Sequence, residues 1–475
     1  MSSIVVDIQQ MTEIFDKQKR RSLALRTESI SDRKKRLKSF EKFLMKNRDR
    51  IAAAVYADFK KPATESDVSE LYPVLTEIRH AVAHLDEWAK PTKMDAPLTY
   101  LGSRAEVRYE PKGVCLIIAP WNFPVNLSLG PLVSCLAAGN TAIIKPSELT
   151  PNTSKLIAEL VNEFFEEDIV AVIEGDVDVS TQLLNLPFDH IFFTGSPAVG
   201  KVVMKAAAQH LTSVTLELGG KSPAIIDVSA NLNDAVKRIA FGKFLNNGQT
   251  CIAPDYILVD ESIEAKFISK LKEEIQTMFG ENGNVNETSP NYARIVNSKH
   301  FSRLNNIIHD AIDKGAKVEM TGAANAETNF IHPTLLSNVA LDSLAMQEEI
   351  FGPVLPIVSY KKIEEAISII NEKPKPLALY VFSNQKSIRE KILAETSAGS
   401  VCVNECVMQF THPNLPFGGV NSSGIGKSHG RYGFLAFSNE KPVLKQKHGF
   451  AMPYLLYPPY TNLRKKIVSM TLRWF

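Results

Sequence analysis

The chain has 475 residues, 44% of them hydrophobic and 22% charged, with a net charge of +2. It is too long for one ordinary core and too balanced to attract a polyanion by charge alone, which excludes a small disulfide scaffold, a low-complexity chain and charge-driven nucleic-acid binding. Five cysteines, Cys115, Cys135, Cys251, Cys402 and Cys406, are odd in number and widely spread, pointing to a reducing, cytoplasmic setting.

Met1 to Gln10 lacks a basic start followed by an apolar run, so no secretory leader is expected, and nowhere do 18 apolar residues run together. The first helix is expected over Ser31 to Phe59, capped by Ser31, with Leu37, Phe40, Leu44, Ile51 and Val55 at helical spacing. Another, from Ser66 to Ala89, places His80 and His84 on one side, but no third ligand accompanies them and no metal is expected. From Val114 the pattern becomes βαβ. Apolar runs at Val114 to Ile118, Thr141 to Ile144, Ile169 to Ile173 and Ile191 to Phe193 read as buried parallel strands. Helices at Leu129 to Ala138, Ser154 to Phe165 and Pro197 to His210 lie among them. Further strands are expected at Val214 to Leu218 and Ala224 to Asp227, then a helix from Asp234 to Asn246 leading to Cys251. A second α/β domain therefore begins near Gly219, with a loop at Gly280 to Asn291. The tail from Tyr457 to Phe475 combines Arg464, Lys465 and Lys466 with Ile467, Met470, Leu472, Trp474 and Phe475. It reads either as a helix docked on protein or as one lying on a membrane surface.

Several segments carry chemistry. Gly195-Ser-Pro-Ala-Val-Gly200-Lys201-Val202 opens a helix straight after a strand, where free N–H groups and the helix dipole attract an anion. Val202 has no hydroxyl for magnesium and Pro197 lacks an N–H, so a pyrophosphate suits it better than a nucleotide-triphosphate loop. Gly418 to Ser428 ends like a phosphate loop but reads as a flexible, turn-rich segment. Cys251, in Gly248-Gln-Thr-Cys251, sits in a polar turn of small residues that suits a thiolate nucleophile. Glu217, a carboxylate in an apolar strand followed by two glycines, is the candidate base. Asn122, at the carboxyl end of a strand in Pro120-Trp-Asn-Phe-Pro124, is the candidate oxyanion donor. Lys145 and Glu148 end the next strand and suit ribose hydroxyls or a surface salt pair.

Seven segments in order resemble the aldehyde dehydrogenase superfamily. They are Pro120-Trp-Asn-Phe-Pro124, Lys145-Pro-Ser-Glu148, Phe193-Thr-Gly-Ser196, Glu217-Leu-Gly-Gly220, Gly248-Gln-Thr-Cys251, Glu349-Ile-Phe-Gly-Pro353 and Pro416-Phe-Gly-Gly419. Cys251-Ile-Ala-Pro-Asp-Tyr256, the short part before Trp121 and Tyr457-Pro-Pro-Tyr460 resemble the class 3 group, which acts on fatty and aromatic aldehydes. The resemblance implies an α/β fold of two open parallel-sheet domains plus a β-ribbon for oligomerisation. Residues 1–94 and 111–218 would form the cofactor domain and 219–418 the catalytic domain. The ribbon would take 95–110 and 439–450, residues 419–438 would return to the cofactor domain, and 451–475 would be a tail. It implies oxidation of an aldehyde to a carboxylic acid with NAD or NADP, in a homodimer. Cys251 would be the nucleophile, Glu217 the base, and Asn122 with the Cys251 N–H the oxyanion site. Trp121, Lys145, Glu148, Gly195, Ser196, Gly200, Glu349 and Phe351 would bind the cofactor. Asn421 stands where a further glycine is expected. A CoA-acylating variant fits less well because a thiol acceptor needs no base such as Glu217, and a non-catalytic scaffold or an NTPase fits less well again.

Overall fold

The computed structural model describes residues 8–97, 100–449 and 451–474. Outside it fall most of Met1 to Gln10, residues 98, 99 and 450 of the expected ribbon, and Phe475 of the tail. Strand β1 (Thr92–Met94) and β2 (Ser103–Pro111) lead into β3 (Val114–Ile118), β4 (Thr141–Lys145), β5 (Val170–Val172), β6 (His190–Gly195) and β7 (Ser213–Leu218). Then come β8 (Pro223–Ile226), β9 (Tyr256–Asp260), β10 (Lys317–Met320), β11 (Ala324–Asn325), β12 (Phe330–Ile331), β13 (Thr334–Ser337) and β14 (Val354–Tyr360). The last are β15 (Ala378–Phe382), β16 (Ser400–Val403), β17 (Gly424–Ile425) and β18 (Ser438–Gln446).

The first large sheet runs β17-β7-β6-β3-β4-β5, parallel except for β17, and the second runs β10-β13-β14-β9-β8-β15-β16, parallel except for β10. Both are covered on two faces, which is why their strands read as unbroken apolar runs. Cys115 and Ile117 of β3 enter one core cluster while Val114, Leu116 and Ile118 enter another; Ile225 and its neighbours Ala224 and Ile226 divide the same way in the second sheet. The expected α/β class with two open parallel sheets is the observed one. In the first sheet β4 lies on one side of β3 and β6 on the other, so the direction of winding reverses between β3 and β6, where a crevice opens at the carboxyl ends. A third sheet, β1-β2-β18, is antiparallel, and β2 and β18 pair from Ser103 opposite Gln446 to Pro111 opposite Ser438.

Four details depart from the sequence reading. Ser31 to Phe59 is two helices, Ile30–Lys46 and Arg48–Phe59, hinged at Asn47, and the cap is Ser29, whose hydroxyl accepts from the Asp32 N–H. Apolar spacing continues across Asn47, so periodicity alone did not mark the break. Before Tyr72–Trp88 the chain makes a π-helical turn, Asp67–Leu71. The helix after β3 begins at Pro124 rather than Leu129, because proline suits a first turn. Finally, Ile8–Leu25 is a helix that the sequence did not announce: its buried face mixes Met11, Ile14, Phe15 and Leu25 with Gln18 and Ser22. Gln18 spends its amide on the Ala142 and Glu167 carbonyls.

Candidate active site

Asn122 stands at the crevice because β3 ends at Ile118 and the helix Pro124–Ala138 starts two residues beyond it. That helix is held at both ends by buried charge. Glu70, from the π-helical turn, accepts the Val125 and Asn126 N–H groups at 3.1 Å each, and Arg33 donates to the Ala138 carbonyl at 2.8 Å. Each charge opposes the matching end of the helix dipole. Glu70 in turn pairs with Lys61 at 2.8 Å, both side chains being wholly buried. Asn122 itself is buried and donates Nδ2 to the Gln249 carbonyl at 3.0 Å, which ties it to the cysteine turn and leaves its second N–H unspent.

The turn is shaped by backbone that ordinary residues avoid. After the helix Leu232–Phe244, Asn246, Asn247 and Gly248 take φ values of 51°, 56° and 73°. Asn tolerates this region, and at Gly248 a Cβ would fall 2.3 Å from the Gly352 carbonyl oxygen. Asn246 is fastened three ways: its N–H donates to Glu65 at 2.8 Å, and its amide donates to the carbonyls of Asn122 (2.7 Å) and Gln249 (3.2 Å). Gln249 bonds Asn246, Arg294 and Val296. Cys251 is half-buried, and its thiol is pushed well up, first by burial and then by the negative charges of Glu349 and Glu217. Its own N–H and that of Ile252 work the other way. At rest the sulfur therefore holds its proton.

Glu217 lies in β7 opposite Thr194 of β6 and Gly424 of β17. It is buried, and desolvation raises its carboxyl from 4.5 to about 7, while a hydrogen bond donated by Ser428 Oγ and the charge of Lys427 pull the other way. Glu217 and Cys251 line one cavity of about 200 Å³, walled by Phe123, Leu127, Phe241, Ile252, Phe410 and Phe417.

A separate groove of about 1050 Å³ runs past Ser196, Gly200, Leu218, Gly219, Lys221 and Glu349. Ser196 caps the helix Pro197–Ala207 by accepting the Val199 N–H, so this helix start faces the groove. Gly200 permits close packing, since a Cβ there would strike the Leu218 side chain at 2.7 Å; at Gly195 it would strike the Phe193 ring at 2.5 Å. Glu349 has a buried Oε1 without a hydrogen-bond partner, and its carboxyl is raised to about 8 by desolvation and by Asp255. A Cβ at Gly219 would lie 2.1 Å from that carboxylate. An orphaned acceptor, a Cβ-free wall and a helix N-terminus along one groove fit a dinucleotide carrying ribose hydroxyls and a pyrophosphate. The loop holding Glu349 is anchored to the cysteine turn by Asp255, which accepts from Lys221 and from the Ile350 N–H.

Lys145 and Glu148 form an ion pair of 2.8 Å at the end of β4, with Lys145 buried and the Glu148 carboxylate partly open. Trp121 meets Phe351 edge to face at 5.2 Å and His300 at 4.9 Å, and Phe351 has φ 52°. Lys145, Glu148, Trp121, Phe351 and Gly195 line neither the cavity nor the groove. Among the described residues no three His, Cys, Asp or Glu side chains gather as a metal site. His80 and His84 instead pack against each other and Trp88.

Residues 418–428 are not a free loop. Gly424–Ile425 pair with β7, Phe417 bridges Ser428, and Asn421 takes φ 53°, the backbone region a glycine would have supplied. Ser428 is a contact to a candidate site residue that the sequence did not announce. Its Gly-Lys-Ser setting suggested a phosphate, whereas the fold aims its hydroxyl at Glu217, 211 residues away.

The aldehyde dehydrogenase family model matches residues 6–443. The 4,4'-diaponeurosporen-aldehyde dehydrogenase of Staphylococcus aureus is 44% identical over 441 residues, covering 93% of this chain and 95% of its own. Aldehyde dehydrogenase family 3 member A2 of Mus musculus is 44% identical over 435 residues, covering 91% and 88%. Among solved structures, the substrate-bound state of Staphylococcus aureus AldH superposes with a TM-score of 0.92 at 41% identity over 97% of this chain and 99% of that one. More distant neighbours include an indole-3-acetaldehyde dehydrogenase complexed with NAD+ (TM-score 0.84, 27% identity, 93% and 90% covered). Another is the glyceraldehyde-3-phosphate dehydrogenase GapN of Methanocaldococcus jannaschii complexed with NADP (0.84, 26%, 94% and 96%).

Proposed function

Because this chain belongs to the aldehyde dehydrogenase family and is a class 3-like, NAD(P)-dependent enzyme, we propose that it oxidises medium- to long-chain or aromatic aldehydes to acids through a thioester on Cys251. The observation that carries this reading is the shared cavity: Cys251 and Glu217 face one apolar chamber, with the Asn122 amide fastened one hydrogen bond from the cysteine turn. Phe123, Phe241, Phe410 and Phe417 favour a large apolar aldehyde over a small polar one.

Cys251 Sγ, once its proton has passed to solvent, bonds to the aldehyde carbon. The charge that builds on oxygen meets the free N–H of Asn122 and the Cys251 backbone N–H, donors already fixed in place; losing one such donor costs about a hundredfold or more in rate. When bound, NAD or NADP supplies the hydride acceptor. Glu349 and the groove beside Gly219 would hold the near ribose and ring, Ser196 and the helix start would meet the pyrophosphate, and Lys145 with Glu148 would meet the far ribose. Gly200 keeps the helix start packed on Leu218 and Gly195 packs on Phe193, and Trp121 with Phe351, in edge-to-face contact outside the groove, would be the cofactor's aromatic neighbours. A thioester remains on sulfur. Glu217, raised to about 7, removes a proton from water as the water oxygen bonds to the acyl carbon, and the Cys251 thiolate departs to free the acid.

The ribbon β1-β2-β18, whose outer strand β18 has one unpaired edge, supports a homodimer. The helix Asn462–Trp474 leaves Leu463, Met470 and Leu472 exposed beside Arg464, Lys465 and Lys466, which supports peripheral contact with an anionic membrane. No helix among the described residues is long and apolar enough to cross one. Five cysteines, all free, support a cytoplasmic setting. The test is an aldehyde panel from short aliphatic through long-chain to aromatic, read by absorbance of the reduced cofactor, with Cys251→Ala beside the parent. Turnover of large apolar aldehydes that vanishes in Cys251→Ala is expected; equal turnover by the variant overturns the mechanism.

A further inference from the structure

Each oxidation at neutral pH turns aldehyde, oxidised cofactor and water into carboxylate, reduced cofactor and two protons; both come from the attacking water, since the proton the Cys251 thiol gives up is taken back when the departing thiolate is reprotonated. The first of the water's protons is taken by Glu217, which is 5% exposed. A base so enclosed must be relieved of that proton before the next cycle, and a route that bypasses the catalytic cavity serves even while substrate or product fills it.

Beside Glu217 lies a second, smaller chamber of about 50 Å³ that Cys251 does not line. It is lined by Glu217, Ser428, Asn126, Ser134, Glu77 and His429, and the exposed Tyr72 borders both it and the catalytic cavity. That space suffices for one or a few waters, and the walls offer the polar partners such waters need. Glu217 and Asn126 face both this chamber and the catalytic cavity. Glu77 comes from the helix Tyr72–Trp88, far from every family segment. Its Oε1 accepts the Gly430 N–H at 2.8 Å and Ser134 Oγ at 3.2 Å, leaving Oε2 for solvent. Gly433 makes this possible, since a Cβ there would lie 2.3 Å from Ser134 Oγ.

We propose that this chamber is the proton exit of the deacylation step, with Glu77 the relay residue that accepts, through water, the proton Glu217 takes from the hydrolytic water. In that step a water O–H bond breaks, its oxygen bonds to the acyl carbon and the C–S bond breaks. The proton resting on Glu217 then passes through the water in the chamber to Glu77 Oε2 and on to bulk solvent, with no change of oxidation state. The inference rests on the reading of Glu217 as base. Two further observations agree with it. Desolvation raises Glu77 from 4.5 to about 7, as it does Glu217, so both carboxyls can hold and release a proton near neutral pH. The other titratable wall, His429, lies between Phe410 and Phe417, and burial lowers it to about 4, so at neutral pH it carries no proton. Tyr72 on the wall, His80 and Lys427 are further titratable neighbours: His80 borders Gly430 and is likewise lowered by burial, and Lys427 is spent on the Gly418 and Gly419 carbonyls.

The test uses Glu77→Gln, which keeps the acceptor for Gly430 and Ser134, and Glu77→Asp, which keeps a carboxylate. Stopped-flow reduction of NAD is followed in dilute buffer and then with increasing 4-methylimidazole or formate, small proton carriers. The expected result for Glu77→Gln is a full burst of one equivalent per site, a steady rate lower by about tenfold or more, and recovery as the carrier rises; Glu77→Asp stays closer to the parent. A steady rate equal to the parent in dilute buffer overturns the relay, and so does a slow rate that no carrier restores. Glu217→Gln is run alongside. If it turns over at the parental rate, the base assignment itself fails; if it is slow while Glu77→Gln is normal, only the relay fails.

Discussion

Replacing Ser428 by alanine removes the one side-chain hydrogen bond that Glu217 receives among the described residues while leaving the cysteine turn and the groove untouched. The bond favours the ionised carboxylate, so its loss raises Glu217 further above its present value of about 7. A hydrogen bond to a charged group contributes about 1.5 to 3 kcal/mol, which at 1.36 kcal/mol per unit is about one to two pH units. At pH 7.5 the ionised fraction then falls by about threefold to twenty-fivefold, and the rate of deacylation with it. The assay is stopped-flow reduction of NAD with an aromatic aldehyde between pH 6 and 10. The burst amplitude should match the parent, while the ascending limb of the steady phase moves up by one to two units and recovers fully by the alkaline end. An ascending limb that stays in place would show that Glu217 does not titrate in the step that limits turnover.

Other perturbations follow from the same geometry. Asn122→Ala should lower the rate of the burst by about a hundredfold or more, because the oxyanion loses a fixed donor; a normal burst removes Asn122 from that role. Gly219→Ala places a Cβ 2.1 Å from the Glu349 carboxylate, the movable end of a side chain. It should therefore raise the KM for NAD several-fold at an unchanged Tm, as kinetics and calorimetry will show. Glu217→Gln should raise Tm at pH 8. Burial lifts the folded-state carboxyl from 4.5 to about 7, so the folded chain binds the extra proton between those values. Stability consequently falls as pH climbs through that window and stays lower above it, by up to about 3 kcal/mol. A parental Tm that is flat from pH 5 to 8 counts against this carboxyl being so perturbed. Lys61→Met, which leaves Glu70 as an unpaired buried charge, should cost about 3 to 5 kcal/mol by denaturant unfolding.

Much of this was legible in the residues and some was not, for physical reasons. Strands buried on two faces announce themselves as unbroken apolar runs, so β3, β4, β6 and β7 were read within a residue or two. The helix Ile8–Leu25 escaped because Gln18 and Ser22 occupy buried positions, and no apolar period survives that. The hinge at Asn47 escaped because Leu44, Ile51 and Val55 keep their spacing through it. At the site, Cys251, Glu217 and Asn122 could be named from local patterns: a polar turn, a carboxylate in an apolar strand, and a strand end. Ser428, Glu65 and Glu77 could not. Their importance lies in contacts made 211, 181 and 353 residues away, and nothing in the neighbouring sequence records them.

The central claim is that the acyl group is carried by sulfur. Its most direct measurement is mass spectrometry of Glu217→Gln quenched in acid during turnover of an aromatic aldehyde with NAD. The account predicts that the peptide containing Cys251 gains the mass of the acyl group, in an amount equal to the cofactor reduced in the burst. Reduced cofactor without that adduct, or the adduct on another residue, would contradict it.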